Sequence, residues 1–141
     1  VYSHLEKPAS FVRILYIDFS SAFNTVQPHL MARKLLTLGV ENRLILWILD
    51  FLVNRIQVVR CYSRETGRTV ISSPKVTCTG TPQGTVVSPV IFTLYTDDCR
   101  SHTDNSCLVK YSDDTALVDM SNSHSEYTQH VAQFTEWCSQ N

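Results

Sequence analysis

Residues 107–120 read CLVKYSDDTALVDM, two apolar runs of strand-like composition with the adjacent carboxylates Asp113 and Asp114 at their junction. The apolar arms and the polar Ser-Asp-Asp break predict a β-hairpin. A second apolar run, FVRILYIDF at 11–19, is rich in β-branched and aromatic residues and reads as a strand buried on both faces, with Asp18 near its end. If that strand and the hairpin are central neighbours in one sheet, Asp18 converges on Asp113 and Asp114, although nearly the whole chain separates them.

The segments between supply the rest of an α+β pattern. Pro28 opens a helix at its first turn and Gly39 closes it. A second helix, from Glu41 to about Val53, is apolar nearly all round and is expected to lie inside. IQVVRCY and TVISSPKVTC flank the polar tip SRETGR and predict a second hairpin whose turn uses Gly67. After TGTPQG, Ser88 as cap and Pro89 at the first helical position launch VIFTLYTDDC as a buried helix. Ser123 and Glu126 form a capping box, and Tyr127, Val131, Phe134 and Cys138 fall on one face of a terminal helix. The order is strand, two helices, hairpin, helix, hairpin, helix. It predicts an antiparallel sheet with helices packed on one face, a ferredoxin-like, split βαβ core.

Composition sets the bounds. A chain of 141 residues, 43% hydrophobic, is one domain's worth and buries a sizeable core. The longest greasy stretch, LILWILDFLV at 44–53, is too short to span a bilayer and is interrupted by Asp50, so no membrane partner is expected. Five cysteines, odd in number and without a CxxC pair, indicate neither a zinc site nor a disulfide framework, and point to a reducing, intracellular compartment. The net charge of −1 argues only weakly against a simple electrostatic nucleic-acid binder, and its distribution is uneven. Arg55, Arg60, Arg64, Arg68 and Lys75 face one acid, Glu65, whereas from Asp97 onward eight acids face Arg100 and Lys110. The second half is suited to hold cations, the middle to meet anions.

Three carboxylates crowded at the edge of an apolar sheet repel one another unless something positive sits between them. A divalent metal is the economical solution: Mg²⁺ favours a few carboxylates with water and phosphates, and two such ions about 3.5–4 Å apart stabilise attacking and leaving oxygens in phosphoryl transfer. Taken alone, Ser112-Asp113-Asp114 also reads as an ordinary polar turn, and Phe23 as simple core. The loop GTPQG adds a flexible Gly84, where a backbone approaches a ligand closely, and Gln83, which both donates and accepts. A plain globular domain has little reason to assemble all of these.

The residues at this point resemble the reverse transcriptases, most closely those of non-LTR (LINE-type) retrotransposons. LYIDFSSAFNTV within 15–26 is similar to the family's motif A, TGTPQGTVVSPVIFTLYTDD within 79–98 to motif B, and KYSDDTALV at 110–118 to motif C, in the family's order. The similarity covers essentially the whole chain, 1–141, as the palm of the polymerase. It implies that Asp18, Asp113 and Asp114 are catalytic and hold two Mg²⁺ ions, for which Mn²⁺ substitutes, with the Phe19 carbonyl as a main-chain ligand. It implies that Phe23 is the steric gate that selects deoxynucleotides, that Gln83 and Gly84 lie beside the incoming nucleotide and template, and that Ser112 sits at the tight tip. The implied reaction joins a deoxynucleoside triphosphate to a DNA primer 3′-hydroxyl on an RNA template.

The resemblance also predicts what lies outside the chain. Fingers and thumb are expected to be largely absent, which makes the chain part of a longer retrotransposon protein or a truncated, inactive relic of one. A palm-like RNA-binding module is the remaining alternative; it calls for exposed aromatics on the strands and a basic face, and is disfavoured because the strands are apolar and the critical edge is acidic. Asp97 and Asp98 are expected to form a solvated helix end. His4, His29, His102, His124 and His130 show no ligand spacing.

Overall fold

The computed structural model describes residues 1–101 and 103–141, so His102 lies outside the described residues. In chain order the elements are α1 (Tyr2–Leu5), β1 (Arg13–Asp18), α2 (Ala22–Thr25), α3 (Pro28–Thr37), α4 (Asn42–Leu52), β2 (Arg55–Gln57), β3 (Arg60–Ser63), β4 (Arg68–Ile71), β5 (Lys75–Thr77), α5 (Val87–Tyr95), β6 (Ser106–Tyr111), β7 (Asp114–Asp119) and α6 (His124–Gln140). β7 lies between β1 and β6, antiparallel to both. Strand, helices, strand pair and helix thus follow the split βαβ order, with three of that motif's four strands present among the described residues.

The helix limits follow local chemistry. Pro28 stands at the start of α3, and Gly39, at φ +73°, supplies the left-handed residue that ends it. The main core is built by helices: Val26, Met31, Leu35, Ile48, Leu52, Ile91 and Phe92 pack together between α2 and α5. The ribbon 55–77 is one hairpin in two ladders, β2 with β5 and β3 with β4. Its middle is bridged by Ser72, which accepts from the Val59 amide at 2.9 Å, beside Pro74, which has no amide to donate.

Four expectations are corrected. β1 is not buried on both faces, because helices cover only one side of the sheet; burial alternates along it and leaves Ile14 and Tyr16 exposed. The α4 helix is buried on one stripe only (Ile45, Ile48, Leu52), while Leu44, Leu46 and Trp47 face solvent. Ser88 does not cap α5, which begins one residue earlier; Thr85 accepts from the Ser88 amide at 3.2 Å, and the buried Ser88 hydroxyl donates to the Pro82 carbonyl at 2.6 Å. Asp97 and Asp98 are not merely solvated. Asp97 pairs with Arg100 at 2.6 Å, and Asp98 accepts from Lys34 at 2.8 Å and from the Trp137 indole at 3.1 Å.

Candidate active site

Antiparallel register decides which side chains share a face. Asp18 pairs with Asp114 and Asp114 with Tyr111; one step inward, Tyr16 pairs with Ala116 and Ala116 with Val109. Register partners project to the same side of a sheet, so the two carboxylates lie together at one end of the face that no helix covers. They line a shallow cleft of about 450 Å³ with Tyr16, Val109, Tyr111 and Ala116. Tyr16 is 80% and Tyr111 82% exposed.

Asp113 follows from the turn. Tyr111 and Asp114 close a two-residue loop, Ser112-Asp113, whose first residue takes φ +57°. Glycine is the usual occupant of that position, so the serine costs about 1 kcal/mol and holds the tip in a defined shape. Asp113 is thereby set beside Asp114 at the sheet's end, half-buried.

Beyond Asp18 the chain turns sharply: the Phe19 carbonyl accepts from the Ala22 amide at 3.2 Å and starts α2. The Phe19 ring packs edge-on against Phe92 at 5.9 Å, and the Phe23 ring lies 5.5 Å from the same residue. Phe23 is half-buried, part core and part surface.

The loop 79–85 is fastened to α2. Thr81 donates its amide to the Phe23 carbonyl at 2.6 Å, and Gly80 donates to the Val26 carbonyl at 2.7 Å. A Cβ on Gly80 would stand 2.7 Å from both the Asn24 Cα and the Phe23 oxygen, so only glycine fits. Gln83 reaches the Asn24 side chain at 3.5 Å, and Gly84, at φ +80°, has open space around it. Gly80 is the residue sequence reasoning missed: the quoted TGTPQG contains it, but nothing in the string tells which glycine meets protein and which meets solvent.

Asp18, Asp113 and Asp114 have no basic partner among the described residues, and no group of three His, Cys, Asp or Glu side chains there is gathered closely enough to form a cage for a metal. The donor chemistry nonetheless suits Mg²⁺, which is ordinarily held by one or two carboxylates together with water and substrate phosphates rather than by an all-protein cage. The opposite end of the sheet carries a polar cluster that the sequence reading did not single out. There Asp119 accepts from His130 at 2.6 Å and from the Ser121 hydroxyl at 2.7 Å, and pairs with Arg13 at 3.5 Å. The five cysteines are unbridged, and burial pushes the Cys99 thiol up to about 11. No helix among the described residues is long and apolar enough to cross a membrane.

A family model described as reverse transcriptase (RNA-dependent DNA polymerase) matches residues 3–141. No curated protein and no solved structure matches the chain.

Proposed function

The chain belongs to the reverse transcriptase family, RNA-directed DNA polymerases that act on nucleic-acid templates, primers and nucleotides, and from that premise we propose that the open end of its sheet is the nucleotidyl-transfer centre of a non-LTR, LINE-type polymerase. The observation that carries the reading is the register pairing of Asp18 with Asp114, with Asp113 next to it in a strained turn. The subtype rests on the string TGTPQGTVVSPVIFTLYTDD.

In this reading Asp18, Asp113 and Asp114 would hold two Mg²⁺ ions (or Mn²⁺) with the Phe19 carbonyl, which keeps a second lone pair beyond its bond to Ala22. Bound metal lowers the pKa of a hydroxyl and neutralises a leaving pyrophosphate. The protein's own part is positioning. Phe23, propped on Phe92, would present its ring beneath the sugar and exclude a 2′-hydroxyl. Gln83 and Gly84 lie beside the base and backbone of the incoming nucleotide, Gly84 leaving room for close approach. Ser112 sets the turn that aims Asp113. The basic ribbon 55–77 would face nucleic acid, and the rest of a longer retrotransposon protein would supply the remaining grip on primer and template.

Primer extension on an RNA template with Mg²⁺, in this chain and in a longer polypeptide that carries it, tests the reading. Incorporation that vanishes in Asp18→Asn and Asp114→Asn supports it; incorporation that survives both substitutions removes it. One observation favours a second reading. Tyr16 and Tyr111 stand exposed on the open face, as a base-stacking platform requires. Binding of single-stranded RNA that depends on these tyrosines but not on metal or nucleotide would favour a binding module.

A further inference from the structure

We infer that Arg55 is a positioning residue for the nucleotide-binding loop 79–84, acting through the Thr79 and Gly80 carbonyls; this rests on the reading of Gln83 and Gly84 as substrate contacts. Arg55 opens β2, at the base of the ribbon, and is half-buried, whereas Arg60, Arg64, Arg68 and Lys75 further along the ribbon are exposed. One terminal nitrogen, Nη2, donates to the Thr79 carbonyl at 2.6 Å and to the Gly80 carbonyl at 2.9 Å. Those carbonyls belong to the peptide units whose following amides, of Gly80 and Thr81, are the ones fixed to Val26 and Phe23. The loop is therefore clamped from two sides, by the ribbon through Arg55 and by α2 through its backbone.

The energetics argue that the clamp is not there for stability. Nε and Nη1 of Arg55 are buried without a hydrogen-bond partner among the described residues, and the same is true of the Thr81 hydroxyl, in a residue only 3% exposed. A desolvated guanidinium without a carboxylate is an expensive way to join two segments, and an apolar side chain of equal volume ordinarily joins them at lower cost. What the guanidinium does that an apolar group does not is fix two successive carbonyls at once. That orients the peptide planes leading to Gly84, four residues from the Gly80–Asn24 contact that already admits no Cβ. Rotation of those planes would swing Gln83 away from Asn24. The expected consequence is loss of nucleotide placement rather than of metal chemistry, since Arg55 touches neither strand that carries the carboxylates.

The test uses Arg55→Lys and Arg55→Gln in the intact chain, with two measurements. Amide hydrogen exchange is expected to accelerate at Gly80 and Thr81 while Leu35, Leu52 and Leu117 stay protected. Steady-state primer extension is expected to show KM for the nucleotide raised about tenfold in Arg55→Gln with kcat changed less than about twofold, the pattern of lost ground-state binding. Lysine, whose ammonium can donate to both carbonyls but ends a side chain one bond shorter than the Nη2 that meets them, is expected to rescue only part of this. Exchange that is unchanged at Gly80 and Thr81, exchange that rises equally across the core, or a loss confined to kcat would each overturn the inference. A parent chain that incorporates nothing and binds no nucleotide overturns the functional reading and the placement role with it; the exchange measurement then still decides whether the clamp exists.

Discussion

Asp18 and Asp114 occupy paired positions on β1 and β7 and share the uncovered face of the sheet. Like charges directly opposite one another across an antiparallel pair destabilise it, and here neither has a basic partner among the described residues. Stability and activity should therefore respond in opposite senses. Asp18→Asn and Asp114→Asn are expected to lower nucleotide incorporation by about three orders of magnitude or more, because positioned charge carries most of the rate in such reactions. The urea midpoint is expected to stay level or rise. A variant that loses both activity and midpoint together would mean that the carboxylates hold the fold instead.

Two glycines in one loop make a matched pair. Gly80 and Gly84 both have positive φ, but a Cβ at Gly80 meets backbone at 2.7 Å, whereas one at Gly84 meets nothing within 4 Å. Gly80→Ala is expected to cost about 2–4 kcal/mol from strain and backbone displacement together. Gly84→Ala carries only the conformational term, about 1 kcal/mol, and should act chiefly on nucleotide KM. Chemical denaturation of both variants checks the ranking, and equal losses would contradict it.

Local signals in the sequence were reliable where the cause is local. Pro28 and Gly39 bound α3, the 106–119 hairpin turns at Ser112-Asp113, and Ser123 accepts from the Glu126 amide as the capping pattern requires. What covers a face is not local. The apolar run at β1 reads the same whether helices lie on one side or two, and so Ile14 and Tyr16 were expected inside. The convergence of Asp18 on Asp114 was legible because strand order and hairpin position constrain it, while Arg55, Gly80 and the Asp119 cluster depend on partners far along the chain. Asp119 did leave one signal: a single acid closing an otherwise apolar strand, ALVDM, is costly unless something meets it.

Lys34 and Asp98 form an ion pair whose members are not equivalent. The Lys34 side chain is 10% exposed and its partner's 52%. The ammonium also donates to the Tyr95 carbonyl at 2.6 Å and stands 4.7 Å and 5.0 Å from the Tyr95 and Trp137 ring centres, so it joins α3, α5 and α6. Removing it strands a buried carbonyl and a cavity, whereas removing the carboxylate leaves the lysine two aromatic faces and a backbone partner. Lys34→Ala is expected to cost about 2–3 kcal/mol and Asp98→Asn about 0–1 kcal/mol. Trp137 fluorescence during denaturation reads both, and a reversed order would show that the pair, not the aromatic and carbonyl contacts, dominates.

Asp119 is fully buried, faced by Arg13, Ser121 and His130, with Thr103 at 3.0 Å on the far side of the imidazole. Burial alone pushes its carboxyl up, but hydrogen bonds from Ser121 and His130 and the charge of His130 outweigh it, and the net position is below the ordinary value of 3.8. The folded chain therefore binds this proton less readily than the unfolded one, so the stabilisation is whole above pH 3.8 and is lost as pH falls below it. Asp119→Ala, which leaves Arg13 and His130 facing an uncompensated space, is expected to cost about 3–5 kcal/mol at neutral pH. Asp119→Asn keeps the shape and removes the titration, so its urea midpoint should vary less than the parent's between pH 5 and pH 2. Parallel pH profiles for parent and Asp119→Asn would mean that other carboxylates, and not this buried charge, govern acid unfolding.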